Sequence, residues 1–440
     1  MNMRLLFIKY LCASIFIFSW LLFPSPVFTA TIPLNLNEAV SKALRASEDC
    51  QIQENELLKS EYKTRETTSI LFPQITGDLT YVNNVKYPDI PTTRFVKNHN
   101  FDAGISINQI ITSFGKISSS ISAMKKLAGM NKHKKESVKD ETVFNTKLLY
   151  FNAYFAKKNL QITKESYENT LKNKALLEKQ SASGRLSKRD NIKVAADVAA
   201  RIPMMRTAES TYAIAMETLK RNLGMPYDCA LELTEGYRTE YKNFDIKEAL
   251  GRLEKHQPIL KALLKSIEAQ ESLITSKKAE YFPTLSAFFK CNYKGSSDDY
   301  FIGNDALYNY HVFGLNLQIP LFYGNRTSYK IKQSNADKNN TILTYQKTKK
   351  NLELELDKAI TEYNELINTL PSNQEAIDLA QESFDLSQKL FVSGQLSATD
   401  LNDAEMMLTS QKLKKEASLF KLQVALAKIE RLSCIGTIYE

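Results

Sequence analysis

The stretch "SGRLSKRD" at residues 183–190 returns as "SGQLSATD" at residues 393–400, with Gly184 and Gly394 lying 210 residues apart. Each copy stands between two long runs of helical character. Gly184 and Gly394 fit the residue just past a helix end, where a positive φ is required and glycine adopts it without strain. Ser187 and Ser397 fit the N-cap of the following helix, with Asp190 and Asp400 three residues on, a variant of the Ser-x-x-acid capping box. A capped reverse turn between antiparallel helices accounts for most of either copy alone. It leaves an acidic surplus in the second, where Asp403 follows Asp400 one turn later on the same helix face.

The same offset extends outward from the turns. "LNEAVSKAL" (36–44) matches "IKEALGRLE" (246–254), and "LFPQITGDLTY" (71–81) matches "YFPTLSAFFKC" (281–291). "GISINQII" (104–111) matches "GLNLQIPL" (314–321), and Arg221 falls on Arg431. A constant offset through helices, strands and loops marks a tandem duplication. The expected organisation is an N-terminal segment, 1–30, then a first repeat, 31–225, and a second, 226–440.

Each repeat predicts one order of elements. A helix over 36–71 is ended by Pro73, because proline cannot continue it. A strand then sets Ile75, Leu79 and Tyr81 against Thr76, Asp78 and Thr80, and a polar loop fills 83–100. A second strand alternates Phe101, Ala103, Ile105 and Ile107 with Asp102, Gly104, Ser106 and Asn108. Copy two sets Leu285, Ala287, Phe289, Cys291 and Tyr293 against Thr284, Ser286, Lys290 and Asn292, with Phe288 alone breaking the polar row. Its last strand opposes Phe313, Leu315, Leu317 and Ile319 to Gly314, Asn316 and Gln318. Alternating segments of about 10 residues suit a membrane β-barrel, apolar outside and polar inside. The edge of a soluble sandwich is the competing reading, and the sequence offers no second sheet to bury it. Long helices follow over 116–181 and 326–391, and shorter ones over 188–223 and 398–432. Seam spacing such as Leu419, Leu422, Leu426 and Ile429 is that of a coiled coil. At 1.5 Å per residue the long helices reach roughly 100 Å, the scale of a tube wall or rod.

The N-terminus carries Arg4 and Lys9, an apolar run over 11–23, then Pro24, Ser25 and Pro26, with a cut expected after Ala30 although the bulky Phe28 precedes it. That order is a secretory signal, and its core is shorter than the roughly 20 residues a spanning helix needs. Cys12 follows Lys9-Tyr10-Leu11, which is not a lipoprotein context, so an exported, unlipidated protein is expected. Cys50, Cys229, Cys291 and Cys434 are scattered, and His99, His133, His256 and His311 are isolated from them. No metal or cofactor site is expected. The formal charge of +9 comes from lysines dispersed among glutamates on helical faces, which fits a solvated surface better than a nucleic-acid site. With no nucleophile elbow, phosphate loop or clustered catalytic set, no enzyme is expected.

Taken together, the duplication, "LNEAV" and "IKEAL", Phe-Pro before each first strand, "IPLFYGN" (319–325) and the Gly-x-x-Ser-x-x-Asp turns resemble the TolC-like outer membrane efflux proteins. The resemblance covers essentially all of 34–436. It implies a mostly α fold with a membrane β-barrel, in which a homotrimer closes one 12-stranded barrel continuous with a periplasmic α-helical barrel. The chain would then be an exit duct in the outer membrane, joined by a periplasmic adaptor to an inner membrane transporter, for drug efflux or type I protein secretion. By the same resemblance Asp400, Asp403 and Asp190 line a periplasmic constriction. Gly184, Arg185, Leu186, Ser187, Gly394, Gln395, Leu396 and Ser397 form tip turns that meet the adaptor. The family's tyrosine and arginine that lock the closed tip fall here on Phe391 and Leu396, which cannot make polar links. The alternative reading is a periplasmic coiled-coil adaptor without a pore.

Overall fold

The computed structural model describes residues 32–86, 97–182, 188–238, 241, 243–300 and 307–434. The expected signal, most of the polar loop (87–96) and the five residues 183–187 of the first turn lie outside the described residues. In chain order the first copy holds β1 (Ile32–Leu34), α1 (Leu36–Ala46), α2 (Glu48–Ser69), β2 (Gln74–Asn83), β3 (His99–Thr112), α3 (Lys116–Ala182) and α4 (Lys188–Asn222). The second holds β4 (Leu231–Leu233), α5 (Ile246–His256), α6 (Pro258–Lys278), β5 (Thr284–Ser297), β6 (Leu307–Gln318), α7 (Arg326–Val392) and α8 (Ala398–Ser433). The two long helices, α3 and α7, have 67 residues each. No described helix is long and apolar enough to cross a membrane.

Where one helix was expected over 36–71, the structure has two. The chain breaks at Ser47, which takes an extended φ/ψ of −62° and 116° and accepts a hydrogen bond on its side chain from the Cys50 amide, capping α2. Copy two breaks 210 residues later, at Gln257. There Pro258 opens α6, and a residue before proline is driven out of the helical region. Two different chemistries produce one break.

The chain forms two compact units, each drawing on both copies. One takes the described residues up to Ala46, Thr146–Thr239 and Pro371–Phe420. In it β1 and β4 pair in parallel, Ile32 to Leu231 through Leu34 to Leu233, a three-residue pairing too short to leave a period in the sequence. Leu34, Ala39, Ala43, Tyr150, Phe151, Met216 and Leu219 bury around it. The Tyr150 hydroxyl donates to the Leu34 and Glu235 carbonyls and accepts from the Glu235 amide, tying α3 to both copies.

The other unit contains the four-stranded sheet, antiparallel throughout in the order β2-β3-β5-β6. In the same unit Leu253, Leu260, Leu356, Ile360, Tyr363, Leu422 and Ile429 form a second core. The sheet's two faces differ in chemistry as the alternation predicts. Ile75, Leu79, Tyr81, Ile105, Phe313, Leu315 and Leu317 lie exposed on one face, Leu79 at 74% and Phe313 at 73%. On the other, Lys294 pairs with Asp102 at 2.9 Å, and Asn292 donates to the same carboxylate at 2.8 Å. The odd Phe288 packs its ring onto Gly314, where an added Cβ would meet it at 2.6 Å, so the aromatic in the polar row is matched to a glycine opposite. Both edges, β2 and β6, lack a partner strand within the described chain.

Candidate functional site at the helical turns

The second turn has the geometry the sequence implies. Gly394 takes φ +79°. Its amide bonds to the Phe391 carbonyl at 3.0 Å, and the Gln395 amide reaches back to the Leu390 carbonyl at 2.9 Å. These are the two bonds of a Schellman helix end. Three residues later α8 opens on a capping box. The Asp400 amide donates to Ser397 Oγ at 3.2 Å, and the Ser397 hydroxyl donates to Asp400 Oδ2 at 2.7 Å. Asp400 and Asp403 are both exposed on the first turns of α8. Asp400, in the first turn, is favoured by the helix dipole, whereas Asp403 one turn on repels it, and together they present a concentrated negative patch. Asp190 lies in the first turn of α4. Its side chain is outside the described residues, as are Gly184, Arg185, Leu186 and Ser187.

Behind the turn, Phe391 is 1% exposed and packs with Leu177, Val194, Phe384, Ala398, Leu401 and Leu408, with Leu396 against the cluster. Phe391 and Leu396 thus hold the two helical hairpins together by apolar contact. Lys193 Nζ donates to Thr399 Oγ1 at 2.7 Å, a direct link from α4 to the start of α8.

A polar feature missed by sequence reading lies deeper. Arg201 on α4 pairs with Glu405 on α8, their side chains only 9% and 2% exposed. Arg201 also donates to Ser166 Oγ on α3 and to Asn402 Oδ1 at 3.4 Å, while Thr409 Oγ1 donates to Glu405 Oε1 at 2.9 Å. Three helices meet at one desolvated ion pair whose lone pairs and protons are largely met. Its members are 204 residues apart, off the 210-residue register, so neither copy of the repeat announces it.

The model of the outer membrane efflux protein family matches residues 249–433, most of the second copy. Over 389 residues the chain is 21% identical to the probable outer membrane lipoprotein SilC of Salmonella typhimurium, covering 85% of this chain and 80% of that protein. Its fold is similar to that of the outer membrane channel CmeC of Campylobacter jejuni. The TM-score is 0.79 at 16% identity, over 90% of this chain and 85% of the other. It is also similar to the outer membrane protein VceC of Vibrio cholerae, with a TM-score of 0.77 at 14% identity, over 90% and 95% of the two chains.

Proposed function

We propose that the chain is a member of the outer membrane efflux protein family, whose model matches residues 249–433, and that it is an outer membrane exit duct, receiving cargo in the periplasm and releasing it outside. The observation that carries this reading is the four-stranded sheet, with one exposed apolar face, one polar face and two open edges. Such a sheet leaves unpaired N–H and C=O groups along β2 and β6, and in lipid these must be satisfied. Copies of the chain satisfy them by pairing edge to edge until the barrel closes. A homotrimer gives 12 strands, with the Asp102–Lys294 pair in the water-filled interior and Leu79 and Phe313 toward lipid.

On this reading Asp400 and Asp403 of three copies form two stacked carboxylate rings, with Asp190 contributed from the first turn. Rings of negative charge admit cations and repel anions. The turns themselves face a periplasmic adaptor, which connects the duct to an inner membrane transporter. The closed tip is held by apolar packing at Phe391 and Leu396, together with the Lys193–Thr399 and Arg201–Glu405 links between α4 and α8. Drug efflux and type I secretion use the same duct, and the partners decide between them.

Fractionation tests the reading. The full-length protein should appear in the outer membrane, require detergent for extraction and run as a complex of three chains that heating dissociates. Recovery as a water-soluble species without detergent contradicts it and favours the pore-less adaptor.

A further inference from the structure

The two turns that lead from the sheet into the long helices are copies of one another, and the difference between them defines a site. Phe114 and Gly115 take φ of 47° and 95°; their counterparts Gly324 and Asn325 take 59° and 64°. Each turn then opens a 67-residue helix with a cation, Lys116 on α3 and Arg326 on α7. A cation there faces the positive end of the helix dipole and is locally unfavourable. Neither has a carboxylate partner among the described residues. In copy one the Ile117 amide donates to Ser113 Oγ at 3.2 Å. The counterpart of Ser113 is Tyr323, which has no acceptor in that position. Its ring instead lies under the Arg326 guanidinium, 4.8 Å from the centroid.

The backbone amide of Thr327, counterpart of Ile117, is therefore left without a partner among the described residues. So is the Thr327 hydroxyl, on a side chain that is only 5% exposed. Lys116, Arg326, Tyr323 and Thr327 line one cavity of about 190 Å³, together with Gln318. Glu280 also lines it, but its carboxylate is held by Lys277 at 3.3 Å and Lys330 at 2.9 Å, so the surroundings stay cationic. Unmet donors, unpaired cations and a helix N-terminus converge on one small polar space.

We propose that this cavity binds a phosphate-bearing anion. Arg326 and Lys116 supply charge, and the amide and hydroxyl of Thr327 supply directed donors. A phospholipid headgroup and a soluble phosphate share this chemistry. Leu321 and Phe322, exposed beside the site, would accommodate the acyl side of a lipid. The proposal concerns the cavity's chemistry and stands apart from conduction, which bilayer recording tests separately.

Native mass spectrometry of the full chain in detergent decides it, with three probes: inorganic phosphate, a short-chain phosphatidylglycerol, and the diacylglycerol of the same chain length. Expected is saturable occupancy by at least one phosphate probe above the diacylglycerol level. That occupancy should fall at least fivefold in Arg326→Gln and in Thr327→Val and stay unchanged in Lys332→Gln, whose ammonium lies over Tyr329 instead. Binding of the phosphatidylglycerol alone identifies a lipid headgroup; binding of inorganic phosphate alone identifies a soluble ligand. No phosphate probe exceeding diacylglycerol, or wild-type occupancy in folded Arg326→Gln and Thr327→Val, overturns the proposal. Should a variant misfold, the wild-type comparison of probes still decides.

Discussion

At the scale of residues, the Arg201–Glu405 pair is where one change should matter most. A buried ion pair adds little net stability over a well-packed apolar pair, but removing one partner strands the other charge. Arg201→Met should destabilise the protein by about 3–5 kcal/mol, and Arg201→Met with Glu405→Leu should recover most of that loss. Denaturant unfolding of the three proteins in detergent measures both. Asp140 on α3 offers a pH test. Burial, helped by Glu136 and opposed by Arg431, raises its carboxyl to about 6. Between about pH 4 and 6 the unfolded chain gives up this proton while the folded chain keeps it, so its ionisation costs stability as pH rises through that window. Asp140→Asn should therefore stabilise by about 1–3 kcal/mol at pH 7 and by nearly nothing at pH 4, read from melting curves at the two pH values. Neither residue was legible in the sequence. A charged residue on a helix reads as solvated until the facing helices are known. The turn residues Gly394, Ser397 and Asp400 were legible because their chemistry is local.

At the scale of elements, the strands and long helices follow directly from period and punctuation. The alternation of Ile105 with Asp102 and Ser106 fixed the two faces of β3, and the repeat fixed which strand corresponds to which. The split at Ser47 was hidden because serine is tolerated inside helices as well as at caps. Pro258 could have revealed it through copy two, since a residue before proline leaves the helical region. The opposite case is Pro371, which lies inside α7 without ending it. Apolar side chains before it, Ile367 and Leu370, pack on the neighbouring core and carry the helix through. The Schellman end and capping box at the second turn make a quantitative case. Ser397→Ala removes the acceptor for the Asp400 amide and should cost about 1 kcal/mol, while Ser397→Asp, which restores an acceptor, should cost much less. Thermal unfolding of both variants separates a capping role from a role of the hydroxyl itself.

At the scale of the whole molecule, a sheet with open edges and an apolar face fits the proposed assembly in lipid. That much was readable from alternation, since the sequence shows no second set of alternating strands long enough to cover the apolar face. On the proposed reading the exposed Asp400 and Asp403 decide transport, since rings of carboxylate would set the charge preference of a narrow pore. The measurement that tests the account most directly is single-channel recording of the purified protein in a planar bilayer under a salt gradient. Wild type should conduct in discrete steps with a cation-selective reversal potential, and Asp400→Asn with Asp403→Asn should move that potential toward zero while the protein still inserts. A wild-type protein that inserts without conducting, or a double variant with wild-type selectivity, would contradict it.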